Sequence, residues 1–501
     1  MSNAHDHPEL AAGPNPFFEH ISPFISYTDL PRILASSPLT HIKWKSIPAN
    51  RREPLLNISD QHFVPSSAVL EPASGLQILL RRSLAQNNPL DPVVRKRCNQ
   101  IGMACTREDL RSLENVQGGG LLIAGMTGTG KTALLKRALS VFVPKQVLEY
   151  GKSDSAGFYS LRQCVYLLVD HPSNGSRGAL LKRILHTLDE KLGTTYFEQH
   201  KKTTNIDTLL VTVSKLLTLH RVAVLCIDEK QQSTFEDSPW RLDFTLFYLQ
   251  LMNLGVSVVL SGNPLAFEHI KLFSQVMRRF SVGGICLFEP AVTGQETWWK
   301  QHFVPQARKF SIVENWNIDT DLRSRFEIEN SSGLPGLFVA YHQEVQRSAL
   351  RRAYDTAEVC EQDFLEAQES PRFKHLRSVA LSLSSDDFNV ANQFIDIPPA
   401  SKTSKRASTV TAKQPALIEG RNSTVVSAAQ RLLTQFKSKQ TREANQLSAQ
   451  LEAFKTMSPD DIRALGITAD LINAFEVQLA SLKASGKKTA SPTKCDGEAK
   501  Q

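Results

Sequence analysis

Eight residues carry the clearest chemistry in the chain: Gly125-Met126-Thr127-Gly128-Thr129-Gly130-Lys131-Thr132. They satisfy G-x-x-x-x-G-K-[ST] at every fixed position. Gly125, Gly128 and Gly130 let the backbone wrap so that N–H groups point inward at an anion. Lys131 then reaches β- and γ-phosphates, and the Thr132 hydroxyl is a ligand for Mg²⁺. The apolar run LLIAG (121–125) ahead of the loop reads as a strand. KTALLKRALSVF behind it reads as a helix that aims its positive end at the same charge and buries Leu134, Leu135, Ala138, Leu139 and Phe142. Together these point to a bound nucleoside triphosphate, ATP, with Mg²⁺.

A magnesium-dependent site needs a second half, an apolar strand ending in acid. RVAVLCIDEKQQ (221–232) supplies one. Asp228 would hold Mg²⁺ through water, and Glu229 would orient and deprotonate the attacking water. A third apolar run ends in Asn263, placed to touch the γ-phosphate or the lytic water; the alternative is a turn asparagine before Pro264. FSQVMRRFS (273–281) adds Arg278 and Arg279. An arginine reaching into a neighbour's nucleotide accelerates phosphoryl transfer by orders of magnitude. Arg279 is preferred for that role, with Arg278 as a structural or DNA-facing cation and a plain surface pair as the alternative.

The elements that must position these residues follow from periodicity. Six strands are expected, at 121–125, 146–150, 164–170, 222–229, 256–263 and 284–290. Dense in β-branched and aromatic residues and separated by helical patterns, they predict an α/β parallel sheet flanked by helices. The chain divides into an N-terminal docking and helical region (1–112), a nucleotide-binding core (113–290), a helical lid (291–372), a linker (373–420), a C-terminal helical partner-binding segment (421–482) and a disordered basic tail (483–501). Residues 1–15 read as disordered. NPFFEHISPF (15–24) has the anchors of a docking segment, and HIKWKSIPANRRE (41–53) reads as a DNA contact or a solvated loop.

Composition narrows the class. At 501 residues the chain exceeds one core. No apolar run approaches the ~20 residues of a membrane span. The start lacks a signal-peptide pattern, and seven scattered cysteines without metal spacing suit a reduced, cytoplasmic protein. The net charge of +8 is uneven: residues 401–501 hold 16 Lys or Arg against 9 Asp or Glu, and the rest 42 against 41. Such a basic tail suits a protein partner, the DNA backbone or plain solubility.

The order of phosphate loop, long insert, Asp-Glu strand, Asn-tipped strand, arginine pair and helical lid resembles the AAA+ superfamily. CVYLLVDHPSNGSRGALLKRILHTLDEKLGTTY (164–196) is similar to one branch of it, the ATPase regulators of heteromeric bacterial transposons (the TnsC/TniB group). The matching pieces are Asp170, the 173–176 turn, Leu188-Asp189, Leu192-Gly193 and Tyr196. The likeness spans roughly 115–290, weakly includes NPFFEHISPF, and fades beyond 372.

That resemblance implies an ATPase of slow, regulatory turnover that oligomerises as a ring or helical filament on double-stranded DNA. It further implies that the oligomer links a target-selector protein to a transposase and is disassembled by hydrolysis. Arg177, Lys182 and Arg183 would then contact DNA phosphates; solvation of a helix face is the alternative. Two features depart from the pattern. Pro335-Gly336 stand where a nucleotide-sensing arginine is expected, leaving Arg347, Arg351 or nothing to replace it, and Lys230 follows the acid pair. An initiator-type or defence-signalling NTPase, and a non-hydrolysing nucleotide-gated scaffold, are the competing readings.

Overall fold

The computed structural model describes residues 6–113, 116, 118–172, 176–230, 241–267 and 274–384. These lie in a compact unit, Met1–Ala407. The expected linker beyond Ser384, the segment 421–482 and the tail 483–501 fall outside the described residues.

Helices α1 (Leu30–Leu34), α2 (Ser67–Gln86), α3 (Pro92–Met103) and α4 (Arg107–Arg111) precede the first strand, β1 (Gly120–Gly125). The core continues with α5 (Lys131–Phe142), β2 (Val147–Tyr150), β3 (Leu161–Cys164), β4 (Tyr166–Asp170), α6 (Arg177–Leu192), α7 (Tyr196–His200), α8 (Ile206–Leu219) and β5 (Val224–Lys230). It closes with α9 (Arg241–Asn253), β6 (Ser257–Gly262), α10 (Ser274–Phe280) and β7 (Gly284–Phe288). Five strands form one parallel sheet in the order β4-β5-β6-β1-β7.

Alternate residues of β1, β4, β5 and β6 serve opposite faces, whereas the edge strand β7, expected to be covered on both, leaves Ile285 and Leu287 exposed. Leu122, Leu167, Leu225, Ile227 and Leu260 pack with apolar residues of α6, α8 and α9. Leu121, Ile123, Val224, Cys226 and Val259 pack with those of α2 and α5. Burial on both faces is what apolar strands without polar alternation require.

One expected strand of the parallel sheet lies elsewhere. Residues 147–150 pair antiparallel with β3 in a separate two-stranded sheet, from Val147 opposite Cys164 to Tyr150 opposite Leu161. The chain between them turns back through a bridge of Ser153 with Phe158. Such a short return permits antiparallel pairing, whereas a parallel neighbour needs a crossover of a dozen residues or more.

The docking segment binds the protein's own core. Phe17 and Phe18 are 0% and 1% exposed beneath α2 and α5. Asn15 caps the turn at the Phe17 N–H and donates to the Leu84 carbonyl at 3.0 Å. Arg137 of α5 then fixes the next stretch by donating to the carbonyls of Ile33, Leu34 and Ala35. The disorder expected for 1–15 is absent from residues 6–15: Arg81 pairs with Glu9 at 2.8 Å and His7 is buried.

The basic stretch 41–53 is a strap. Arg52 is 1% exposed, pairs with Glu314, donates to the carbonyls of Ile47 (2.7 Å) and Ile312 (3.2 Å), and lies over the Trp44 ring. Leu39, Ala49 and Leu56 join the lid core of Phe310, Ile312, Tyr341 and Phe364.

The lid comprises α11 (Val304–Ala307), α12 (Thr320–Ser331), α13 (Pro335–Arg352), α14 (Glu361–Glu369) and α15 (Lys374–Ser384). A parallel pair of two-residue strands, β8 (Asn315–Trp316) and β9 (Glu358–Val359), ties its loops. The linker expected from residue 373 is here α15. Its Ala380 and Leu383 are buried against Met126, Leu334 and Leu337, a helical spacing that the Ser-rich surroundings obscured.

Replacing Phe17 with Ala should remove a ring the sheet's helices close upon and cost about 3–5 kcal/mol. Chemical denaturation reads this directly, and a loss under about 1 kcal/mol would mean the segment is a dispensable appendage.

Candidate nucleotide site

The phosphate loop joins β1 to α5 at the carboxyl edge of the sheet, where ligands of parallel sheets bind. Gly128 and Gly130 have φ of +86° and +92°, a region that costs other residues roughly 1–2 kcal/mol. All five residues expected on the inner face of α5 are buried. The helix so held presents its N-terminal amides to the loop.

Lys131 folds back on the loop. Its Nζ donates to the Gly125 carbonyl at 2.7 Å and the Met126 carbonyl at 2.8 Å. Met126 O also accepts from the Thr129 hydroxyl at 2.8 Å. Burial lowers the Lys131 pKa to about 8, against the opposing pull of the Asp228 carboxylate. Thr132 Oγ1 donates to Asp228 Oδ2 at 2.6 Å, across from the tip of β5. Asp228 is 1% exposed. The two halves expected from sequence therefore meet.

β5 contains an irregularity where it reaches the site. Ile227 pairs with Leu260 and Lys230 with Gly262, so three residues of β5 face two of β6. The extra residue falls at Asp228-Glu229 and breaks the alternation of faces, a feature often found beside active sites. Glu229 is placed by its backbone in this bulge; its side chain lies outside what the structure describes.

A hydroxyl and a carboxylate side by side are hard oxygen donors. They fit Mg²⁺, which binds through one or two carboxylates plus substrate phosphates and keeps several waters. Thr132 and Asp228 would hold the ion, and its chemistry there would be to neutralise charge developing on the phosphates.

Asn263 lies at the tip of β6, the strand between β5 and β1. Its side-chain oxygen accepts from the Leu265 N–H at 3.0 Å, the turn role named as the alternative. The two arginines differ in their surroundings. Arg279 is tied down, donating to the Gly118 carbonyl (3.3 Å) and Asn253 Oδ1 (2.9 Å). Gly118 precedes β1, so Arg279 serves the edge of the sheet opposite its own phosphate loop. Arg278 is exposed.

The three cations considered for DNA do not form one patch. Arg177, Lys182 and Arg183 are spread around α6 at roughly 100–140° from one another on a helix of 100° per residue. Lys182 donates to the Lys201 carbonyl and Arg183 sits 3.6 Å from Asp170. Arg347 and Arg351, considered as replacements for the sensing arginine, both bind Glu53 on the strap.

The 164–196 signature is architectural. Asp189 accepts from the Tyr196 and Phe197 N–H groups at 2.9 and 2.7 Å, and Gly193 ends α6 at φ +65°. Tyr196 OH meets His220 Nε2 at 2.9 Å. These residues build the corner between α6 and α7. Of its turn, residues 173–175 lie outside the described residues. Met126 is a site residue that sequence reasoning passed over. Its signal was a large apolar side chain inside a loop otherwise made of small and polar residues.

A bound triphosphate favours the Lys131 ammonium. With a nucleotide-free pKa near 8, binding above that pH must take up a proton. ATP affinity should therefore fall as pH rises through about 8, by up to about tenfold per unit. Calorimetry in buffers of different ionisation enthalpy measures the uptake; constant affinity from pH 7 to 9 would contradict it.

Comparison with known proteins bears on the same segment. Residues 114–270 match the family model described as "AAA domain". A search of curated proteins returns no match. Among solved structures, the Aeropyrum pernix ORC1 protein in complex with DNA is 17% identical, with 58% of this chain and 67% of that chain covered at a TM-score of 0.35. Cdc6p from Pyrobaculum aerophilum is 11% identical over 56% and 70%, at 0.36. AMPPCP-bound DnaA from Aquifex aeolicus is 12% identical over 70% and 92%, at 0.29. The AAA domain match thus takes in β1, the phosphate loop, Asp228 and Asn263, and stops short of the arginine pair and the lid.

Proposed function

We propose that this chain is an Mg²⁺-dependent ATPase whose nucleotide state governs its assembly on double-stranded DNA. The observation that carries the reading is the meeting of Lys131, Thr132 and Asp228 at one sheet edge, with Thr132 and Asp228 2.6 Å apart. The match of residues 114–270 to an AAA domain supports it.

In this reading Glu229 activates water, Asn263 stands by the γ-phosphate, and Arg278 rather than Arg279 reaches a neighbouring protomer's nucleotide. DNA is held through its phosphates, without base readout, and because Arg177, Lys182 and Arg183 lie on different sides of α6 they contribute separate contacts and not one basic patch. The finer role, linking a target-selector protein to a transposase with hydrolysis as the timer, rests on the sequence resemblance of 164–196. The C-terminal segment 421–482 would then recruit the transposase.

Changing Glu229 to Gln should leave ATP binding intact and slow turnover by about 10²–10⁴-fold. An unchanged rate would favour a nucleotide-gated scaffold. Electron microscopy of the full chain with duplex DNA and a non-hydrolysable ATP analogue should show ring or filament assemblies that Lys131→Ala abolishes. No DNA-dependent assembly in any nucleotide condition would overturn the transposition role.

A further inference from the structure

The lid touches the phosphate loop without an arginine. Helix α13 begins at Pro335-Gly336, and the Gly336 N–H donates to the Gly128 carbonyl at 2.7 Å. The approach is close enough to demand glycine. A Cβ on Gly336 would lie 2.9 Å from Gly128 O and 3.0 Å from Gly128 Cα. Two residues earlier in the loop, Met126 is 5% exposed, its side chain enclosed by Leu334, Leu337, Ala380 and Leu383 of the lid. The carbonyl of the same Met126 accepts from Lys131 Nζ and the Thr129 hydroxyl. Met126 thus joins the phosphate-binding lysine to the lid core through one residue.

α13 carries that contact away from the site. Gly336 and Arg347 lie eleven residues apart on one helix, a rod of roughly 17 Å between them. At its far end Arg347 and Arg351 bind Glu53 of the N-terminal strap. Arg137 of α5, the helix that follows the phosphate loop, anchors the chain leading into that strap. The lid is therefore held at both ends by elements attached to the loop or to its helix.

We propose that Met126 and Gly336 are positioning residues that relay the state of the phosphate loop to α13 by direct packing and a backbone hydrogen bond, in the place where a sensing arginine is missing. The inference rests on the ATPase reading and deepens it. A triphosphate draws the Lys131 ammonium off the Gly125 and Met126 carbonyls. The peptide units at 126–128 then reorient, and the buried Met126 side chain and the Gly128–Gly336 bond turn the start of α13 with them.

Amide hydrogen exchange on the full chain tests this, with and without a non-hydrolysable ATP analogue. In the native protein the analogue should change exchange over residues 334–340 and 376–383 by at least about threefold. Gly336→Ala and Met126→Ala should each cut that response by more than about half when measured at analogue concentrations that saturate each variant. Alanine is the better helix former, so a loss in Gly336→Ala does not arise from a weakened helix. Met126→Leu, which keeps the apolar volume, should restore the response. An undiminished response in both alanine variants, or none in a native chain that binds the analogue, overturns the relay and leaves the ATPase reading standing. Failure of the native chain to bind the analogue overturns the ATPase reading instead. The contact is then judged without nucleotide, where Met126→Ala must speed exchange of the Gly336 amide; no acceleration refutes it.

Discussion

A buried carboxylate at a strand tip is stable only if something meets it, and here the Thr132 hydroxyl does, at 2.6 Å. Much of the core geometry follows from making that contact. Thr132 is fixed by α5, and α5 by five apolar side chains sunk between the sheet and the N-terminal segment. Asp228 is fixed by β5, separated from β1 by a single strand. The strand order therefore spaces the two halves of the site by the width of β6, and the loop bridges what remains. Asn263 ends that intervening strand and so lies between them.

The fold was legible in the sequence where local pattern and tertiary role coincide. Apolar runs such as LLIAG and VAVLCIDE became central strands because nothing but a doubly covered sheet can bury them. The glycine spacing of 125–130 was equally legible, since positive φ at Gly128 and Gly130 is a local demand of the backbone. What escaped was set by distant partners. Residues 147–150 have strand character, yet their partner was decided by a short turn that no alternation reveals. Arg278 and Arg279 are adjacent and alike in sequence, and only the neighbourhood of Gly118 and Asn253 separates them. The anchors Phe17 and Phe18 announced burial without saying against what, and the answer was the chain's own α2 and α5.

The arginines of the lid show the same division of labour. Arg347 and Arg351 are spent on Glu53, whose carboxyl they hold below its usual range, Arg351 most of all through its hydrogen bond. The beginning of α13 meets the loop through its backbone and the apolar side chains of Leu334 and Leu337, and a glycine there lets two segments approach at a distance no side chain allows. The signature around Asp189, Gly193 and Tyr196 is likewise spent on a corner. A motif of this kind builds architecture, and chemistry has to be argued from the residues beside it.

The strap has a consequence for how the molecule is made. Glu53 and Arg347 are 294 residues apart in sequence, and Arg52 and Ile312 are 260 apart. At roughly 5–20 residues per second on the ribosome, the early chain waits on the order of 15–60 seconds for those partners to emerge. Until then Leu39, Ala49 and Leu56 lack the lid side chains they pack on, and the Arg52 guanidinium has its local partners, the Ile47 carbonyl and the Trp44 ring, but neither Glu314 nor the Ile312 carbonyl. The nucleotide-binding sheet can close first, and the lid is sealed only after Ile312 and Arg347 have emerged. A long-range closure of this sort is slow for entropic reasons, and it makes residues 39–56 the part of the N-terminal region that waits longest for its partners, since Phe17 and Phe18 already have α2 and α5.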